Sequence, residues 1–211
     1  MGYAQVTSDV AAAAQYIKQG RVVAFPTGTS YGLAVDAFQG HALQRLRILK
    51  QRPEEKTFTV FMRRDLWPQF LLLTAEEQTL LEKYANQPLT LLVQATAALE
   101  HLAQDGRIGL RVIDHPLMAA LAQAVAVPLT ATSANVSGEE PCFSPAAITE
   151  TFPGILDPTD PAIAPAGPTT YDLSLAAILD GGALPVCQPT TVAQLVDGQI
   201  KIIRQGGLTL S

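Results

Sequence analysis

Cysteine is scarce: the 211 residues contain two, Cys142 and Cys187, far apart and without metal-ligand spacing between them. Both read as thiols of a cytoplasmic protein, with Cys142 near enough to a Ser/Asn-rich stretch to serve as a pocket wall. The three histidines, His41, His101 and His115, show no metal spacing either, so no protein-held metal is expected. There is no Gly-x-Ser-x-Gly elbow, and Asp114 directly precedes the His115 it would have to orient, so a Ser133–His115–Asp114 hydrolase is excluded. The Gly-x-Gly-x-x-Gly fingerprint of dinucleotide sites is missing. No lysine follows the glycine of Pro26–Gly32 as a P-loop requires. No apolar run reaches membrane-spanning length, and the alanine-rich segment after Asp9 has no basic leader, so neither a membrane span nor a signal peptide is expected. A net charge of −5 argues against a broad basic surface for long nucleic acid. With no internal repeat, low-complexity tract or clear linker, residues 1–211 are expected to form one domain. Acid–base and covalent mechanisms lack obvious players.

What is present is a local concentration of positive charge. Seven of the fourteen Lys and Arg residues fall between Arg45 and Arg64, a patch that suits a small polyanion better than a duplex. Within it, Lys50-Gln51-Arg52-Pro53-Glu54-Glu55-Lys56 ends a basic helix (Ala42 to Lys50) that the proline stops, leaving three cations on a short turn. Arg brings a planar fork for phosphate oxygens and Lys a compact point charge. The alternative is a solvated helix end whose cations complement the dipole.

Helices and strands alternate along the chain, which implies a layered α/β fold. Ser8 is expected to cap a helix from Asp9 to Gln19, with Gly20 as its stop. Arg21 to Phe25, Leu33 to Val35, Phe58 to Met62, Pro88 to Val93, Arg107 to Ile113, Pro128 to Ala131 and Leu175 to Leu179 read as strands. Trp67 should pack in a short apolar turn. Thr74 with Glu77 predicts a capping box on a helix Ala75 to Tyr84, and Leu117 to Ala126 reads as a further helix. Thr190 to Val196 and Ile200 to Arg204 predict a hairpin turning at Asp197-Gly198. The proline-rich run Thr151 to Thr170 predicts an irregular excursion, with a short strand at Gly154 to Asp157; it reads as a surface loop or as a lid.

Four stretches are candidates for ligand contact. Pro26-Thr27-Gly28-Thr29-Ser30-Tyr31-Gly32 follows a strand, where open α/β sheets bind ligands, or it is a plain turn. Thr132 to Gly138 packs small polar side chains between a strand and a loop, a composition that suits close backbone approach. Thr90 is polar in an apolar strand, as a satisfied core residue or a ligand contact. Arg111, inside a strand, must reach water, a carboxylate or a phosphate, and pairing with Asp114 or Asp36 is the bland solution. A site made of Lys, Arg, Ser, Thr and Asn works by positioning and charge stabilisation, as nucleotidyl transfer requires.

Taken together and in order, these stretches resemble the YrdC-like family, the threonylcarbamoyl-AMP synthases of tRNA modification, from about Val10 to Gly206. The carrying motifs are Pro-Thr-x-Thr-x-Tyr-Gly at Pro26–Gly32, Lys-x-Arg-Pro at Lys50, Arg52 and Pro53 with Lys56 beyond, and Ser-Ala-Asn-x-Ser-Gly at Ser133–Gly138. Pro88-Leu89-Thr90, Arg111 with His115 and Pro116, Thr190-Thr191-Val192 and Arg204-Gln205-Gly206 complete the set. The resemblance implies a single-domain, three-layer α/β (α+β) fold, an open twisted mixed sheet flanked by helices with a basic concave face. It implies a nucleotidyltransferase joining L-threonine, bicarbonate and ATP, with Mg2+ carried on the triphosphate and no protein-held metal. Arg52, Lys56, Ser133, Asn135 and Arg204 would contact ATP, with Lys50 supporting the phosphates beside Arg52 and Lys56 in the catalytic set. Thr29, Tyr31, Thr90, Arg111 and Thr191 would hold threonine. tRNA or downstream tRNA-modification proteins are the implied partners.

The match has departures. Gly28 stands where the family usually has Asp or Glu, Ser30 replaces an apolar residue, Thr57-Phe58 follows Lys56 in place of Pro-Leu or Gly-Leu, and Gln205 replaces a proline. Phe58-Thr59-Val60, Arg64-Asp65-Leu66 and Pro189–Val192 resemble the YciO branch, so a nucleotide- or RNA-binding protein without efficient turnover is the alternative. A carbamoyl-adenylate-handling domain like that of hydrogenase maturation proteins is a third reading, but such domains are usually fused to other modules. The intact Lys-x-Arg and Ser-Ala-Asn motifs favour the synthase.

Overall fold

Residues Val22–Pro26 form a fully buried strand whose alternate side chains enter two different cores. Val22 and Ala24 join one apolar cluster and Val23 and Phe25 the other, the period-two consequence of the pleat. The computed structural model describes residues 4–153 and 174–211. In chain order its elements are β1 (Gln5–Thr7), α1 (Val10–Lys18), β2 (Val22–Pro26), β3 (Tyr31–Ala34), α2 (Gly40–Leu49), β4 (Val60–Phe61), α3 (Trp67–Phe70), β5 (Leu71–Leu72), α4 (Ala75–Lys83), β6 (Leu89–Ala95), β7 (Arg107–Arg111), α5 (Pro116–Val125), β8 (Leu129–Thr130), β9 (Thr132–Ser133), α6 (Pro145–Thr151), β10 (Leu175–Leu179), β11 (Thr191–Val196) and β12 (Gln199–Arg204).

The fold is mixed α/β as expected, but its strands make two open, mixed sheets where one was expected. One runs β1-β10-β2-β3-β9, and the other β12-β11-β6-β7-β4-β8 with β5 added beside β6. They meet where β8 passes into β9. Thr130 N–H donates to Val35 O at 3.0 Å, and its hydroxyl accepts from Val35 N–H at 3.0 Å, so one residue stitches both sheets. Helices α1 and α5 cover one face of the first sheet through Ala13, Ile17, Met118, Leu121 and Val125, and Phe25 stacks on Phe61 there at 5.0 Å. The other face shares a core with α2, α4 and the second sheet, including Leu46, Leu49, Leu81, Leu91 and Leu110.

Several local details differ from the sequence expectations. Asp9, not Ser8, caps α1, because its carboxylate accepts from the N–H groups of Ala11 and Ala12. Helix α2 ends before the proline, at a turn where Gln51 takes a left-handed φ of 49°. Arg111 is the last residue of β7 rather than an interior one. Three elements carry no expectation at all: β1, β5 and α6. The capping box at Thr74 and Glu77 forms as expected, and Asp197 and Gly198 take φ values of 51° and 76°, the pair of positive angles a type I′ hairpin needs. The expected strand Gly154 to Asp157 and nearly all of the Thr151 to Thr170 excursion lie outside the described residues.

Candidate functional site

The turn after β2 is built by one hydroxyl. Thr27 Oγ1 donates to Ser30 O at 2.7 Å and accepts from the N–H groups of Thr29 and Ser30 at 3.2 and 3.3 Å. That arrangement presents Thr29, 3.2 Å from Thr27 between hydroxyls, at a cavity of about 540 Å³. The cavity lies where the two sheets meet. Thr27, Thr29, Ser30 and Tyr31 line it from the first sheet and Thr90, Arg111 and Arg204 from the second; Ser133 and Asn135 come from β9 and the loop after it, and Arg52 from the basic turn. Its size is ordinary for a small-molecule site.

The cations of the basic turn do not converge as the sequence suggests. Arg52 reaches the cavity, its guanidinium donating to Thr57 O at 2.6 Å and lying 5.0 Å from the centre of the Phe58 ring. Arg47 covers the same ring at 5.1 Å. Burial pulls the Arg52 pKa down, and Arg47 adds to the effect. Lys50 turns inward instead: it is 2% exposed, and its ammonium donates to Ser133 O, Asn135 O and Asn135 Oδ1 at 2.5, 2.8 and 2.9 Å. Burial holds its pKa down to about 7, with Arg52 pressing the same way. Lys56 is exposed, and neither lysine lines the cavity.

The Ser/Asn stretch is held by its own bonds. Asn135 Oδ1 accepts from Ser133 Oγ at 2.6 Å as well as from Lys50, and Asn135 Nδ2 donates to Glu139 O at 2.6 Å. Ser133 remains exposed at the cavity. Tyr31 is fully buried; its hydroxyl donates to Gly182 O and accepts from Gly181 N–H, so its ring walls the cavity while its polar end braces a neighbouring turn. Desolvation raises its pKa.

Arg111 adopts the bland solution and still borders the cavity. Its Nη1 donates to Leu89 O and Val112 O, and its Nη2 to Asp114 Oδ2 at 2.5 Å. Burial lowers its pKa, Asp114 opposes that, and Arg204 adds to it. Arg204 donates to Thr190 O and Thr190 Oγ1 at 3.0 and 3.1 Å, and Thr190 Oγ1 lies 3.2 Å from Thr90 Oγ1. Thr191 points the other way: its hydroxyl donates to Leu208 O at 2.6 Å and accepts from Gly206 N–H at 3.0 Å. Of this pair it is Thr190, named in the motif but given no ligand contact, that lines the cavity. Strand alternation was the available signal, since adjacent residues face opposite sides. His115 caps α5 by accepting from Leu117 N–H at 3.2 Å. The cysteine bordering the cavity is Cys187, not Cys142, which is buried behind it.

A site assembled from three arginines and a ring of hydroxyls can gather anionic oxygens and orient a small carboxylate. Among the described residues, no group of three or more His, Cys, Asp or Glu could hold a metal ion. No helix among them is long and apolar enough to cross a membrane.

A family model named Sua5_yciO_yrdC and described as "Telomere recombination" matches residues 15–206. The chain belongs to the Sua5/YciO/YrdC family. One relative, a threonylcarbamoyl-AMP synthase of Xanthomonas campestris pv. campestris strain B100, is 32% identical over 200 residues, covering 92% of this chain and 97% of its own. The structure of P. abyssi Sua5 complexed with L-threonine superposes with a TM-score of 0.77 at 24% identity, covering 98% of this chain and 57% of that one, so this chain spans little more than half of that Sua5. Escherichia coli YciO superposes with a TM-score of 0.75 at 21% identity, covering 97% and 95% of the two chains. Both superpositions show the fold of the Sua5/YciO/YrdC family in this chain.

Proposed function

We propose that this chain is an L-threonylcarbamoyladenylate synthase. It would form threonylcarbamoyl-AMP and pyrophosphate from L-threonine, bicarbonate and ATP in the cytoplasm, for N6-threonylcarbamoyladenosine modification of tRNA. One observation carries the reading: Arg52, Arg111 and Arg204, distant in sequence, share a cavity with the hydroxyls of Thr29, Thr90 and Ser133. The synthase names of the relatives support it, as does the threonine in the P. abyssi Sua5 structure.

In the proposed reaction the threonine amine takes up bicarbonate with loss of water, giving N-carboxythreonine. An oxygen of the new carboxylate attacks the α-phosphorus of ATP, and pyrophosphate leaves. Arg111 pairs with the threonine carboxylate, with Thr29 and Thr90 beside it and Tyr31 as a wall. Arg52, Arg204, Ser133 and Asn135 take the nucleotide, and Lys56 adds positive charge from the turn that Arg52 closes. Mg2+ arrives as part of the ATP substrate. Lys50 supports the phosphate contacts from behind, through the Ser133–Asn135 loop. Thr191 supports Thr190 and Arg204 in the same indirect way. Fixed cations in a partly desolvated cavity stabilise charge as it builds on the α-phosphate and the leaving group, and holding both reactants together removes the entropy cost of their encounter.

The test is pyrophosphate release by the purified protein with ATP and Mg2+, omitting threonine or bicarbonate in turn. Release that needs both, with threonylcarbamoyl-AMP as product, is the expected result. ATP binding with no pyrophosphate under any combination would leave the YciO-like reading, a nucleotide- or RNA-binding protein. Steep weakening of RNA binding with salt would then support it.

A further inference from the structure

Asp114 does not line the cavity, yet it holds two of the parts that do. Its Oδ1 accepts from Gly28 N–H at 3.0 Å, and its Oδ2 accepts from Arg111 Nη2 at 2.5 Å. The side chains of Arg111 and Asp114 are 6% and 2% exposed, so this charge pair is little weakened by solvent. Gly28 makes the approach possible. A Cβ there would lie 2.3 Å from Asp114 Oδ2 and 2.6 Å from its Cγ, and no left-handed φ calls for glycine, so space is the reason for it. Both partners of Asp114 are donors. A carboxylate can serve both, whereas an amide presents one acceptor and one donor and must give up one contact.

We propose that Asp114 is a positioning residue of this cavity: it locks the Arg111 guanidinium and the 27–30 turn together, so that Arg111 and Thr29 act on one small carboxylate substrate. The proposal rests on the assignment of Arg111 to the threonine carboxylate. Two effects of Asp114 oppose each other. As a counter-ion it competes with a substrate carboxylate for Arg111, and as a tether it fixes the fork that the carboxylate must meet. The double anchoring decides for the tether, because losing it leaves the turn that carries Thr29 and the guanidinium each with its own local bonds and nothing joining them.

The experiment measures threonine binding by calorimetry and the KM for threonine and for ATP. It compares wild type, Asp114→Asn, Gly28→Ala, the double variant and Arg111→Ala, with thermal melts confirming folding; Gly28→Ala supplies the same readout should Asp114→Asn fail to fold. Asp114→Asn and Gly28→Ala should each weaken threonine binding about tenfold while the KM for ATP stays within about twofold, since a charge-assisted hydrogen bond is lost at one subsite only. The double variant should be no weaker than the weaker single variant, because both changes undo the same two-armed bridge through Asp114. Additive losses, wild-type affinity in both single variants, or tighter threonine binding in Asp114→Asn would each overturn the proposal. If Arg111→Ala binds threonine like wild type, the carboxylate assignment itself falls. If Arg111→Ala loses threonine while the other variants retain it, only the positioning role falls.

Discussion

Lys50 and Asn135 are joined twice: the buried ammonium donates to the Asn135 carbonyl at 2.8 Å and to its side-chain oxygen at 2.9 Å. The Lys50 carbonyl in turn accepts from Ser137 N–H at 2.8 Å, so the end of α2 clamps the 133–137 loop with both main chain and side chain. Lys50→Met keeps the length of the stem and removes three hydrogen bonds; Ser133 O and Asn135 Oδ1 keep one donor each, while Asn135 O loses the ammonium. A loss of about 2–4 kcal/mol in urea unfolding is expected, with weaker ATP binding by the folded fraction. Wild-type stability in that variant would show that the clamp is dispensable.

The same lysine sets a pH dependence. Its pKa is held near 7 in the folded protein, against an ordinary 10.5. Between those values the unfolded chain binds a proton that the folded chain does not, so the contribution of Lys50 to stability rises with pH across that window and is constant below it. The stability difference between wild type and Lys50→Met should therefore shift toward wild type from pH 7 to pH 10, by up to about 1.4 kcal/mol per pH unit. A difference independent of pH would contradict the lowered pKa of buried Lys50.

Arg52 and Arg204 approach the cavity from opposite ends of the chain. Arg52→Ala and Arg204→Ala should each cut kcat/KM for ATP by about 100-fold or more, in line with losing a charge-assisted contact, while far-ultraviolet circular dichroism stays unchanged. Normal rates in either folded variant would remove that arginine from the nucleotide site.

Adjacent threonines should behave differently. Thr191→Val loses hydrogen bonds to Leu208 O and Gly206 N–H and should cost about 1–3 kcal/mol of stability. Thr190→Val, at the cavity, should change stability less and weaken substrate binding more, read as KM against melting temperature. The reverse pattern would exchange their roles.

Gly206 is enclosed by the main chain of that same strand start. A Cβ there would lie 2.1 Å from Pro189 O and 2.4 Å from Thr190 C, backbone atoms that cannot swing aside. Gly206→Ala should therefore destabilise by about 1–3 kcal/mol and displace Thr190 and Arg204 together, lowering turnover beyond what the residual folded fraction accounts for. A thermal melt and activity equal to wild type would contradict it.

Much of the fold was legible because its signals are local. The Thr74–Glu77 capping box, the buried apolar runs of β2 and β10 and the Asp197-Gly198 turn each lie within a few residues. Strand β1 left no such trace: its three residues pair in parallel with β10, far along the chain. Helix α6 does carry one, Ser144 as cap followed by Pro145 at the first turn. In the cavity, residue types and motif order were readable from sequence, but side-chain direction was not. Lys50 turned inward because the carbonyls of Ser133 and Asn135 offered a buried cation three acceptors, a partnership that exists only once β9 is in place.

The most direct measurement of the central claim is pyrophosphate release from ATP and Mg2+ by the purified protein, with threonine and bicarbonate each supplied or withheld. Release only when both are present, accompanied by threonylcarbamoyl-AMP and lost in Arg52→Ala and Arg111→Ala, is the expected result. Release independent of threonine, or none at all while ATP binds, would contradict the synthase assignment.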